Sequence, residues 1–181
     1  MISEYFREQM DHEPTREMYE TIYGIAKKQN YKNALEVGIA WAISTIAILS
    51  AGTGKLLSVD KSDYPNTQEQ IDLYQFRNRW TFIENSSEDV LPELNGKYDL
   101  ICVDGDHRYK QVSDDLENAI KVLTDDGVLI VDDYNHKNNF TKDPDIEKHY
   151  GVNQAVNEIV DKYNLKKIVY NKANGIVELR K

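Results

Sequence analysis

A single cysteine among 181 residues leaves no disulfide framework to hold this fold. Cys102 sits inside the apolar run Leu100-Ile101-Cys102-Val103, shielded from solvent and from any activating charge, so an inert core thiol is expected rather than a nucleophile. Basic charge is also scarce. Twenty-two Lys and Arg against 31 Asp and Glu give a net charge of -9, which argues against a nucleic-acid binder, since neutralising phosphates needs a basic surface. No apolar run approaches the ~18 residues of a membrane span. The opening MISEYFREQMDHEP has no apolar signal core, so no membrane partner and a cytoplasmic location are expected. Repeats, linkers and low-complexity tracts are absent as well. What is present is an ordinary globular composition, 40% hydrophobic and 29% charged, at a length that suits one domain.

The most informative stretch is YDLICVDGDHRYKQV, residues 98–112. Its apolar run reads as a strand buried on both faces, as in parallel sheets covered by helices. Asp104, Asp106 and His107 then fall at the strand's C-terminal end, the edge at which open α/β sheets bind ligands. The same alternation of strand and helix recurs along the chain. Strands are expected at 34–37, 55–60, 80–83, 100–103, 128–131, 167–170 and 176–179, with helices from Pro14, over 44–50, 64–78, about Leu116 to Leu123, and 151–163. Asn174-Gly175 marks the turn of a final hairpin. Residues 1–30 read as an N-terminal helical cap segment and 31–181 as the main domain. The stretch before Pro14 could reach over the site or against the partner of a homodimer, and the sequence leaves both open.

Two further acids stand at strand ends. Glu36 closes the first strand immediately before a small-residue turn, Gly38 to Ala42, whose glycine and alanines let a ligand approach the backbone. Asp60 closes the second strand about 20 residues beyond that turn, the spacing at which a carboxylate accepts from ribose hydroxyls. An acid just before the turn suits a cationic ligand better than a pyrophosphate, and two fingerprint glycines are missing, so an NAD-dependent oxidoreductase is disfavoured. Between the fourth and fifth strands, a right-handed crossover makes parallel neighbours, ~4.8 Å apart, which brings Asp104 to the same edge as Asp132 and Asp133. Such a group of carboxylates needs protonation or a bridging cation, and hard oxygen ligands suit Mg²⁺ or Ca²⁺ better than Zn²⁺. The polar stretch from Asn135 to His149 follows directly; His136, His149 and Tyr150 could contribute to an acceptor site, though each reads more naturally as a solvated loop residue.

The layout resembles the class I S-adenosylmethionine-dependent methyltransferases, and the motifs LEVGIAWAIS, LLSVD, NSSEDVLPEL, DLICVDGDHRYKQV, GVLIVDDYN and GVNQAV are similar to those of the macrocin and catechol O-methyltransferase types. That resemblance implies an α/β, Rossmann-like, seven-stranded and mostly parallel sheet with an antiparallel last strand and helices on both faces. It implies that Glu36, Gly38 and Ser44 surround the methionine part of S-adenosylmethionine, Asp60 its ribose, and Ser87 and Glu88 its adenine, with Asp104 also near the cofactor. By the same resemblance Asp104, Asp132 and Asp133 ligate Mg²⁺, and Asp106 or His107 serves as general base, the histidine titrating nearer neutrality. The expected reaction is methylation of a small hydroxylated acceptor, a sugar or natural-product hydroxyl. A metal-independent methyltransferase and a non-catalytic nucleotide-binding module are the alternatives.

Overall fold

The computed structural model describes residues 4–137, 150–170 and 174–181. Seven strands form one sheet: β1 (Asn33–Val37), β2 (Lys55–Asp60), β3 (Trp80–Glu84), β4 (Tyr98–Val103), β5 (Leu123–Val131), β6 (Lys166–Tyr170) and β7 (Ile176–Arg180). Their order is β3-β2-β1-β4-β5-β7-β6, parallel except that β7 runs antiparallel to both of its neighbours. The expected mixed sheet with its reversed last strand is therefore what forms.

The apolar strands bury alternate residues on opposite faces. Leu35, Ile101, Leu129 and Val131 face the helices α6 (Tyr109–Val122) and α7 (Val152–Tyr163), whose Leu116, Ala119, Val156 and Ile159 join the same cluster. Ala34, Leu100, Cys102, Val128 and Ile130 face the other way, against α2 (Glu13–Gln29) and α3 (Ile43–Ala51). Ile22, Ile25 and Ala26 of α2 are buried there, so this helix covers the sheet itself. A shorter helix, α1 (Glu4–Asp11), precedes it. Cys102 is wholly buried and burial pushes its thiol pKa well up, as the core reading requires.

Two elements depart from their sequence-based bounds. The helix expected over 64–78 is α4, Pro65–Leu73 only, because Gln75 takes a left-handed φ of 60° and turns the chain into β3. Leu123, expected on the inner face of the sixth helix, instead opens β5, and the pairing with β4 shifts register between Tyr98 and Leu100 to absorb Thr124 to Gly127. The acidic pair Asp125-Asp126 reads as loop in the sequence, and nothing in its composition signals a strand. The tip of the last hairpin, 171–173, and residues 138–149, which include His149, lie outside the described residues.

Candidate active site

The parallel strands end at a cleft of about 240 Å³, close to the lower end for small-molecule sites, lined by the ends of β1 and β2, the turns after β1, β2 and β4, and Ser87 and Gln111 from two helices. Gly38 begins the turn after β1 with a φ of 86°, and a Cβ there would lie 2.1 Å from the carbonyl oxygen of Asp104. Only glycine lets β1 and β4 approach so closely. The alanines at 40 and 42 also adopt positive φ, 28° and 62°, so the turn keeps a glycine-like path without glycines. Asp60 pins this turn from below: its carboxylate accepts from the Ile39 amide at 2.8 Å and the Ser62 amide at 3.2 Å.

Glu36 and Ser44 do not line the cleft; both are buried beneath the turn. Glu36 is 0% exposed, and its Oε2 accepts from Thr45 at 2.9 Å and Ser58 at 2.6 Å. Ser58 in turn accepts from the Trp80 indole at 2.9 Å, so its own proton is directed at the carboxylate. Burial still dominates over the Ser44, Ser58 and Thr45 hydroxyls and pushes the Glu36 pKa up to about 7. Ser87 does reach the cleft, at the start of α5 (Ser87–Val90), a helix capped by Ser86, while Glu88 stays on the exposed side.

Beyond the end of β4, His107 Nε2 stands 3.6 Å from Asp104 Oδ1 and 3.4 Å from Asp133 Oδ2. Burial opposes its charge, but the Asp104 and Asp133 carboxylates outweigh that and raise its pKa. Burial also raises Asp104, against the pull of His107, and raises Asp132 well above the usual carboxylate range, helped by repulsion from Asp104 and Asp133. Oδ1 of Asp132 is buried without a hydrogen-bond partner. Asp106 differs from its neighbours. Arg108 grips both of its oxygens and holds its pKa low, which makes it the poorer proton acceptor of the two base candidates. Among the described residues, no group of three or more His, Cys, Asp or Glu side chains is arranged to hold a metal ion.

Sequence reasoning under-weighed Tyr150. Its hydroxyl donates to Asp133 Oδ2 at 2.7 Å, its ring lies 5.2 Å from that of His107 and 5.0 Å from that of His136, and its backbone bridges to Arg108. No local pattern marks it, because its partners lie 17 residues away at Asp133 and more than 40 away at His107 and Arg108. Gln111 and Asp115 were missed as well, though their i, i+4 spacing on the inner face of α6 was a usable signal.

Strand order, reversed last strand and a cleft at the parallel strand ends together define the Rossmann-like fold of class I S-adenosylmethionine-dependent methyltransferases. The chain belongs to the methyltransferase-domain family, which matches residues 35–134, a span that includes both the residues lining the cleft and the Asp132-Asp133 pair. Solved structures with the same fold include a putative caffeoyl-CoA O-methyltransferase from Staphylococcus aureus, at 16% identity over 91% of this chain and 83% of that one, TM-score 0.76. The O-methyltransferase TomG from Streptomyces achromogenes, in complex with S-adenosylmethionine, aligns at 15% identity over 90% and 78%, TM-score 0.73. An O-methyltransferase from Bacillus cereus, in complex with S-adenosylhomocysteine, aligns at 17% identity over 91% and 80%, TM-score 0.72. Among curated protein sequences none matches this one. No helix among the described residues is long and apolar enough to cross a membrane.

Proposed function

We propose that this protein transfers a methyl group from S-adenosylmethionine to the hydroxyl of a small acceptor, a sugar or natural product, with a divalent cation such as Mg²⁺ at the acceptor side. The observation that carries the reading is the juxtaposition of the Gly38 turn with the Asp104, Asp132, Asp133 and His107 cluster at one sheet edge. The structural neighbours described as O-methyltransferases support the choice of oxygen as the atom methylated.

Gly38 gives the methionine part of the donor backbone access, Asp60 offers acceptors for ribose hydroxyls, and Ser87 a hydroxyl for adenine, while Glu36 stays buried beneath the turn and braces it through Thr45 and Ser58. The donor chemistry suits a hard cation: Asp132 keeps an unpartnered buried oxygen, and the Asp104 and Asp133 carboxylates lie near enough to repel it. A bound cation supplies orientation of the acceptor hydroxyl and a lower pKa for it. His107, between Asp104 and Asp133, takes up the hydroxyl proton as the methyl group moves in line from sulfur to oxygen, and those two carboxylates stabilise the imidazolium that results.

A metal-independent reaction is the second reading, favoured by one observation: the His107 ring itself bridges Asp104 and Asp133. The two are separated by turnover of hydroxylated acceptors with and without EDTA, in the native protein and in the Asp132→Ala and Asp133→Ala variants. The metal-assisted reading requires loss of turnover in EDTA, restoration by Mg²⁺, and loss in both variants. Undiminished, EDTA-insensitive turnover would leave the histidine alone as the catalytic group, and absence of S-adenosylmethionine binding by calorimetry would sink both readings in favour of a non-catalytic module.

A further inference from the structure

Behind the Ser87 end of the cleft lies a buried polar triad of which the family resemblance names only Ser87. Asp115 is 1% exposed and Gln111 5%, both on the inner face of α6. The Gln111 amide nitrogen donates to Asp115 Oδ1 at 3.1 Å and to Ser87 Oγ at 3.1 Å. A carboxylate can only accept, so Asp115 dictates which end of the amide faces it. Both amide protons are thereby committed inward, and what Gln111 has left to offer the cleft it lines is its carbonyl oxygen. Ser87 receives one of those protons on its oxygen, so its own proton is free to turn, either back to Asp115 or out toward a ligand.

We infer that Gln111 and Ser87, held in one polarity by Asp115, form an acceptor–donor pair that reads the amine-bearing edge of adenine: the Gln111 carbonyl accepts from the exocyclic amine and the Ser87 hydroxyl donates to the adjacent ring nitrogen. This rests on the S-adenosylmethionine reading above and adds to it two residues and a direction. Hypoxanthine, with a carbonyl in place of the amine, sets acceptor against acceptor at Gln111, whereas Ser87 can turn its proton to Asp115 and accept from the protonated ring nitrogen, so the discrimination rests on Gln111. Asp115 touches no ligand in this scheme; it is a positioning residue. Without it the amide is free to rotate and offer nitrogen or oxygen alike.

The test is calorimetry of S-adenosylhomocysteine against S-inosylhomocysteine, its deaminated counterpart, on the native protein and on Gln111→Met, Asp115→Asn and Asp115→Ala, with circular dichroism to verify folding. The native protein is expected to prefer the adenosyl ligand by about tenfold or more, the scale of one or two satisfied hydrogen bonds against mismatched ones. Gln111→Met and Asp115→Ala should bring the two affinities within about threefold of each other, whereas Asp115→Asn, which still offers an oxygen to the amide, should retain most of the preference. A merely structural role for the triad would weaken both ligands together and leave their ratio unchanged, and that result overturns the inference. If Asp115→Ala does not fold, Gln111→Met alone decides it. Failure of the native protein to bind S-adenosylhomocysteine at all would instead refute the underlying methyltransferase reading.

Discussion

Replacing Glu36 with Gln should flatten the pH dependence of this protein's stability in a defined window. Glu36 is wholly buried under the β1 turn and titrates at about 7 when folded, against an ordinary 4.5. An acid whose folded pKa is raised binds a proton in the native state that the unfolded chain has already released. Its contribution is therefore fully present below pH 4.5 and is lost as the pH climbs to about 7. One pKa unit corresponds to about 1.4 kcal/mol, so the native protein should lose about 2–3 kcal/mol between pH 5 and pH 8 on account of this side chain. Glutamine keeps an oxygen for Thr45 and Ser58 and cannot ionise, so that component should vanish. Asp104, Asp115 and Asp132 also have raised pKa values and tilt the same curve, but they are present in both proteins, and the difference between the two isolates position 36. Urea unfolding at pH 5, 6, 7 and 8, followed by the fluorescence of the buried Trp80, measures it. Parallel pH profiles for the two proteins would show that Glu36 is not held protonated by its burial and would refute the reasoning.

Three other substitutions report on the turn, the core and the proton acceptor. Gly38→Ala sets a Cβ against the Asp104 carbonyl at a φ of 86°, and should cost about 2 kcal/mol or more in urea unfolding while abolishing S-adenosylmethionine binding; unchanged binding would contradict the close approach. Leu129→Ala, at a fully buried position in β5, should lower stability by about 3–4 kcal/mol, since β5 is hydrogen-bonded on both sides there and the site cannot collapse. His107→Gln should reduce turnover by about 10²–10⁴-fold, with S-adenosylhomocysteine affinity by calorimetry little altered; a rate within a few-fold of the native one would assign the proton to another group.

The strands were legible because each is a short apolar run, and the parallel order followed from the crossover helices between them. The ends of elements were not. Gln75 ends α4 by adopting a left-handed conformation that its sequence does not advertise, and Leu123 belongs to a strand although its spacing continues the helix before it. In the candidate site, the acids at strand termini could be read directly, since position along a strand fixes which edge they occupy. Whether a side chain faces the cleft depends on the pleat and on the turn that follows. Glu36 and Ser44 accordingly lie below it, and Tyr150, distant in sequence, reaches Asp133. Gln111 and Asp115 matter only relative to Ser87, a relation that exists once α5 and α6 are packed.

The contact between Gly38 and the Asp104 carbonyl has a consequence for how such a chain can change over time. The Asp104 amide donates to the Val37 carbonyl at 2.8 Å, the Gly38 amide to the Val59 carbonyl at 2.9 Å, and the Asp132 amide to the Val103 carbonyl at 3.2 Å, extending the sheet ladder past the strand ends. Main chain, not side chains, thus sets the spacing between the turn and the carboxylates. Side chains around the turn and the carboxylates can therefore change without disturbing that spacing. A lineage carrying this backbone keeps that spacing while its side chains vary.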